Sequence, residues 1–294
     1  MKQEVKGIWL AIIGTSFWGI SGPFAQNLFT QNINPLWLVG LRLTIAGSIL
    51  TLWGALQYPE QFRQLLEWHN LKRLLLFSLF GMVPSQLTYF LAISYANAST
   101  ATILQFLGPS FIVIYLALKT QKMPARIDLI CLVISLLGTI LVVTNGSFSS
   151  LALSGLGMFW GIMAGFSQAS YTLLPRKLLE VFDAKLVTGL GMFIGSLLFW
   201  PLLIIKHPAT VNSSMLLSFD YIIIFGTMAA YLCYLQSVKF IPAATTGMLS
   251  AFEPLTANIV SVLWLQEMLG GFQTLGAILI LMTVFLQALA VKKT

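Results

Sequence analysis

The chain has 294 residues, of which 57% are hydrophobic and 9% charged, and its formal net charge is +7. A soluble domain carries about 25% charged residues. The composition therefore excludes an ordinary cytosolic enzyme, a disordered chain and a secreted disulfide scaffold, and leaves a polytopic membrane protein.

A helix needs about 20 apolar residues to cross a hydrocarbon core of about 30 Å. In chain order, ten stretches meet that length: 8–29, 35–56, 73–94, 98–118, 126–145, 154–178, 185–206, 217–238, 243–265 and 272–291. They are continuously apolar and do not alternate, which predicts helices and not strands. Turn and polar clusters separate them, as at Gln31-Asn32-Ile33-Asn34-Pro35 and Lys122-Met123-Pro124. The first stretch is longer than the apolar core of a signal peptide, so it is expected to stay as a span.

The cations set an orientation. With the N-terminus inside, 14 of the 16 Lys and Arg fall on one side: Lys2, Lys6, Arg63, Lys72, Arg73, Lys119, Lys122, Arg126, Arg176, Lys177, Lys185, Lys239, Lys292 and Lys293. Lys206 alone falls on the other, and Arg42 lies within a span. This asymmetry follows the positive-inside rule and predicts that both termini are cytoplasmic. The sequence pI near 9.5 then reports topology and calls for no nucleic-acid partner.

Sites for other chemistry are missing from the pattern. Cys131 and Cys233 sit in apolar stretches and read as small buried hydrophobes. His69 and His207 fall in loops without ligand spacing, so no metal is expected. There is no P-loop, no nucleophile–base constellation and no Arg-rich voltage-sensing helix, so neither a cofactor nor enzymatic activity is expected.

An internal repeat organises the spans. Shifting the chain by 145 residues aligns 80–109 with 225–254 without a gap, and eight of 30 positions are identical: Phe80/Phe225, Gly81/Gly226, Leu87/Leu232, Tyr89/Tyr234, Ala98/Ala243, Thr100/Thr245, Leu104/Leu249 and Pro109/Pro254. The halves would be 1–146 and 147–294, with five spans each. Because five is odd, the second half enters the membrane inverted. In such inverted-repeat transporters the substrate site lies near the midplane, between the halves.

Several motifs follow this order. Trp18-Gly19 lies in the first span and Arg42 in the second. Ala92-Ile93-Ser94-Tyr95-Ala96 leads to Pro109, and Ser237-Val238-Lys239-Phe240 leads to Glu253-Pro254. Leu265-Gln266-Glu267 is followed by Gln273 and Gly276. Over nearly its whole length the chain resembles the EamA branch of the drug/metabolite transporter superfamily. The resemblance implies a bundle of two inverted five-helix repeats that moves small metabolites, often amino acids. One departure is Lys122, where members often carry an acidic residue matching Glu267. Small multidrug exporters of the superfamily use an acidic residue in the first span, and this first span has none.

Among candidate substrate contacts, Glu253 is the sharpest. It lies about ten residues, or roughly 15 Å, from either end of its span, too deep for a short side chain to reach water. An ionisable group at that depth marks a ligand contact or a protonation site; a structural hydrogen bond to a neighbouring helix is the alternative. Arg42 lies seven residues after Pro35. It would snorkel outward, pair with Glu253, or hold a substrate carboxylate through its fork.

Gln86 and Tyr89 share a helix face, as do their repeat partners Tyr231 and Tyr234. Gln105 corresponds to Ser250. Together they outline two walls of one cavity, unless they serve only as interhelical contacts. Trp18, Ser21, Gln168 and Tyr171 are further candidates. Pro84, Pro109 and Pro254 fall inside spans and predict kinks that would act as gating hinges. Gly157, Gly161 and Gly165, and Gly191 with Gly195, form GxxxG spacings suited to close packing within the bundle, or else to a dimer face.

The sequence thus predicts an all-α membrane protein of ten transmembrane helices, multi-pass in the cytoplasmic membrane. Its expected role is a secondary transporter, most simply an exporter, of small organic metabolites such as amino acids or related zwitterions, by alternating access. The alternatives are a small-drug or cation exporter and a non-transporting scaffold subunit. The expected partners are a small-molecule substrate, the lipid bilayer and a coupling proton, with the chain a monomer or homodimer.

Overall fold

The computed structural model describes residues 2–121, 123–147, 154–206 and 211–266, together with 270–286 apart from 273, 277, 280, 281, 284 and 285. All regular structure among the described residues is helical. The long helices are α1 Lys2–Thr30, α2 Pro35–Gln57, α3 Trp68–Tyr95 and α4 Ala98–Thr120. They continue with α5 Arg126–Thr144, α6 Gly155–Leu173, α7 Ala184–Ile205 and α8 Ser213–Ser237. The helix α9 comes in two pieces, Ala243–Leu249 and Phe252–Trp264. Six of these, α1 to α4, α7 and α8, are long and apolar enough to cross a membrane. The expected tenth span lies mostly outside the described residues, as do Lys122, His207, Glu267, Gln273, Lys292 and Lys293.

Local chemistry places the ends. Asn34 accepts from the backbone N–H groups of Leu36 and Trp37 and caps α2, with Pro35 at its first position. Asn97 does the same for α4 through Thr100 N at 2.7 Å. Ser154, Asp183 and Asn212 cap α6, α7 and α8. Helix α6 stops at Leu173, short of the predicted 178, because Pro175 cannot donate to the ladder; a separate turn, Arg176–Leu179, follows. Beyond α8, Lys239 donates to Phe182 O at 2.8 Å. Burial lowers the pKa of Lys239, and Asp183 partly offsets this.

The bundle has the exposure pattern of a chain solvated by lipid. Large apolar side chains such as Leu52, Leu56, Leu118, Leu217 and Leu263 point outward, whereas Thr15, Ser78, Thr102, Gln168, Thr188 and Asn258 are buried. Lipid is as apolar as leucine, so the interior is selected for packing and interhelical hydrogen bonds. The glycine spacings are spent there. A side chain at Gly161 or Gly165 would run into Leu104 of α4, and one at Gly191 or Gly195 into Phe77 or Val83 of α3.

Two pairs of irregularities interrupt the long helices. Helix α3 contains a π-helical segment, Ser78–Met82, and α8 contains another, Ile224–Ala229. Helix α4 breaks after Gln105, where Phe106 N and Leu107 N turn back to Ile103 O and Leu104 O at 3.1 Å each. Helix α9 breaks after Leu249, with Ser250 N to Gly247 O at 3.3 Å and Glu253 N to Ser250 O at 2.9 Å. A shift of 145 residues superposes the two π segments in part and the two breaks within one residue. The prolines lie just beyond these features. Pro84 and Pro109 sit in the opening positions of Val83–Tyr95 and Gly108–Thr120, and Pro254 in the first turn of Phe252–Trp264. The sequence predicts a kink within a continuous helix. Pro109 and Pro254 instead restart a helix already interrupted, where a missing N–H costs little, whereas Pro84 follows the π segment within the continuous helix Trp68–Tyr95.

Helix α1 crosses α9 at the second of these breaks. A Cβ at Gly19 would strike Thr256 Oγ1 and the carbonyl oxygen of Glu253. Gly19→Ala should therefore destabilise the protein by about 1–3 kcal/mol, the usual cost of overpacking, seen as a lower unfolding temperature in detergent. An unchanged temperature would contradict this close crossing.

Candidate functional site

The π segments and breaks surround one small cavity at the heart of the bundle. Trp18 and Ser21 reach it from α1, Arg42 from α2, and Ser85, Gln86 and Tyr89 from α3. Gln105 comes from the end of the first half of α4, Tyr171 from α6, Tyr231 from α8 and Glu253 from the first turn of the second half of α9. The space between them is about 10 Å³, room for about one water molecule. The site is closed in this conformation.

Arg42 is 2% exposed and does not snorkel. Its Nε donates to Thr227 Oγ1 at 2.7 Å and its Nη2 to Gly226 O at 2.8 Å. Its guanidinium lies 4.5 Å from the centre of the Phe90 ring. Both acceptors belong to the π segment of α8, whose irregular turn also directs Thr227 Oγ1 to Ile222 O at 2.7 Å. A π turn leaves carbonyls outside the regular ladder, and the Arg42 fork takes one of them. Gly226 is required there because Ser21 of α1 occupies the space of a side chain.

Glu253 is likewise 2% exposed. Its Oε1 accepts from Gln105 Nε2 at 3.4 Å, a long contact. No ion pair among the described residues joins it to Arg42, although both line the same cavity. The first turn of a helix carries unsatisfied N–H groups and a positive partial charge, which favour a carboxylate.

Aromatic rings form one wall. Trp18 packs at 4.7 Å on Tyr231, 4.9 Å on Tyr234 and 5.7 Å on Tyr171, measured between ring centres. Tyr171 lies 5.7 Å from Tyr231. Tyr231 OH is 3.2 Å from Ser85 Oγ, and Tyr89 OH is 3.2 Å from Thr102 Oγ1. Four buried polar atoms of lining residues, Trp18 Nε1, Gln86 Oε1, Gln105 Oε1 and Tyr171 OH, have no hydrogen-bond partner. Buried polar groups are nearly always satisfied, so these four are free to meet a ligand or water.

Nine of the expected contacts, Trp18, Ser21, Arg42, Gln86, Tyr89, Gln105, Tyr171, Tyr231 and Glu253, meet here. Three do not line the cavity. Tyr234 stands behind Trp18 and is 3.1 Å from Thr172 Oγ1, while Gln168 Nε2 donates to Ser250 Oγ at 3.0 Å. Ser85, Phe90 and Thr227 are not singled out by the sequence pattern. Ser85 was within reach, because it lies four residues before Tyr89 on the same helical face. The Phe90 and Thr227 contacts link helices far apart in sequence and carry no local signal. Among the described residues, no group of His, Cys, Asp and Glu could hold a metal ion.

Comparison with known proteins adds the family. The model of the EamA-like transporter family matches twice, at residues 5–144 and 155–289. An inner membrane transporter of Salmonella typhimurium, YicL, is 35% identical over 98% of this chain and 97% of its own. The transporter YwfM of Bacillus subtilis is 26% identical over 100% of this chain and 97% of its own. A solved crystal structure covers 99% of this chain and 98% of its own with a TM-score of 0.73 at 17% identity, a likeness of fold. The chain is a multi-pass transporter of the cell membrane and not an enzyme. It belongs to the EamA-like transporter family.

Proposed function

We propose that this protein exports small zwitterionic metabolites, most simply amino acids, by alternating access between two inverted five-helix halves. One observation carries the reading. Arg42 and Glu253 are buried in one cavity without forming an ion pair with each other. A zwitterion supplies both missing charges, its carboxylate facing Arg42 and its ammonium facing Glu253. The rings of Trp18 and Tyr231 flank the cavity. They can add a cation–π contact of up to about 2 kcal/mol to a desolvated ammonium.

The movement has candidate pivots. The paired π segments and breaks supply irregular backbone at the cavity, as in transporters whose sites lie at interrupted helices. In this reading Pro84, Pro109 and Pro254 preserve those interruptions, both termini are cytoplasmic, and Glu253 exchanges a proton for the ammonium.

The test is flux in proteoliposomes. Labelled amino acids with apolar, aromatic and polar side chains would be presented with and without a pH gradient. Saturable, gradient-driven movement of at least one is expected, with competition by other zwitterions and little by simple amines or carboxylic acids. Competition by amines alone would favour a cation exporter, in which Glu253 and the aromatic wall suffice and Arg42 is structural.

A further inference from the structure

A second, larger cavity opens on the outer side of the bundle between the second half of α4 and α6. Its volume is about 520 Å³, within the range of small-molecule pockets. Phe111, Tyr115 and Lys119 recur every four residues along one face of α4, and Phe166, Ser170 and Leu173, at steps of four and three, share one face of α6. Phe111 and Phe166 meet edge to face at 5.9 Å and close the apolar end. At the other end stand Lys119, Arg176 and Lys177, with Glu180 the one acidic residue among the described lining residues. Eight residues separate Phe111 from Lys119, about 12 Å along the helix.

We infer that this groove binds an anionic phospholipid, with its phosphate at the Lys119–Arg176–Lys177 rim and an acyl chain along the phenyl floor. The layout carries the argument, because charge is confined to one end of an apolar slot that opens toward lipid. Basic pockets between transmembrane helices recognise anionic headgroups in this way. These cations also belong to the set that the loop asymmetry assigns to the cytoplasmic side, where anionic lipid attracts them. A second copy of the chain fits less well. A two-fold contact presents the same patch on both subunits, so the cation clusters would approach each other. The groove is separate from the central cavity, since α6 turns Gly161, Gly165 and Gln168 inward, toward Leu104, Leu107 and Ser250.

The test is native mass spectrometry of the full chain in detergent, with phosphatidylglycerol and phosphatidylcholine of identical acyl chains in equal amounts. Retention of phosphatidylglycerol should exceed that of phosphatidylcholine by about tenfold or more. Combined Lys119→Gln, Arg176→Gln and Lys177→Gln should erase the preference. Combined Arg63→Gln, Lys72→Gln and Arg73→Gln removes as much charge elsewhere and should keep it. Leu173→Trp fills the slot with the rim intact and should also reduce retention, so the outcome does not depend on one variant folding. The inference fails if the wild type shows no preference, if the rim variant keeps it, or if the control loses it equally. It fails too if inorganic phosphate displaces the lipid, or if Phe111→Cys and Phe166→Cys cross-link two copies through this face.

Discussion

Replacing Glu253 with glutamine should abolish gradient-driven accumulation of substrate while leaving the protein folded. Glutamine keeps the shape of the side chain and can still meet Gln105, whose amide reaches Glu253 Oε1 at 3.4 Å in the wild type. It removes the negative charge and the exchangeable proton. A hydrogen bond to a charged group is worth about 1.5–3 kcal/mol, or roughly 10- to 150-fold in affinity for an ammonium. If Glu253 is the coupling site proposed above, its loss removes coupling altogether, whatever affinity remains. The measurement is uptake under an imposed pH gradient beside counterflow exchange without one. Uptake should vanish and exchange should persist at a raised substrate requirement. Wild-type uptake by Glu253→Gln would remove Glu253 from the mechanism.

Arg42 should give the second largest effect, and its two substitutions should differ. Arg42→Ala takes away the donors that Gly226 O and Thr227 Oγ1 now receive at 2.8 and 2.7 Å. It leaves a buried acceptor in the π segment unsatisfied, at a cost of about 1–3 kcal/mol, and empties the space against Phe90. Loss of both thermal stability and transport is expected. Arg42→Lys retains the charge but not the planar fork, which is what lets one side chain hold the π segment and face a carboxylate together. It should keep most of the stability and raise the substrate concentration for half-maximal transport about tenfold or more. If Lys and Ala both transport normally, the carboxylate of the substrate does not meet Arg42. If Lys is normal and Ala merely unstable, the role of Arg42 is to pin the π segment.

The two variants separate the halves of the zwitterion proposal. Glu253→Gln should weaken competition by compounds that retain only the amine, and Arg42→Lys competition by those that retain only the carboxylate. Since the cavity has room for only about one water in this conformation, either ligand must enter an opened form. Arg42 and Glu253 lie on helices that meet α8 and α1, and α8 and α9 carry one member of each pair of irregularities. A ligand that contacts both side chains therefore biases those elements.

Much of this protein is written in composition and spacing. The apolar stretches located α1 to α8 to within a few residues at most ends, because a bilayer demands length and continuity from a span and little else. Glu253 and Arg42 stand out for the same reason, since charge at depth is expensive and needs a use. The periodicity of α3 was enough to place Gln86 beside Tyr89, and the 145-residue shift pointed to Tyr231 and Gln105. What the sequence did not determine is where those side chains find their partners. Whether Arg42 pairs with Glu253 or with the α8 backbone depends on a π turn, and no local pattern announces a π turn. The interruption of α9 before Glu253, the withdrawal of Tyr234 behind Trp18 and the pairing of Gln168 with Ser250 are also products of helix packing. Periodicity assigns a residue to a face of its own helix. Only the tertiary arrangement decides which other helix that face meets, and at what height.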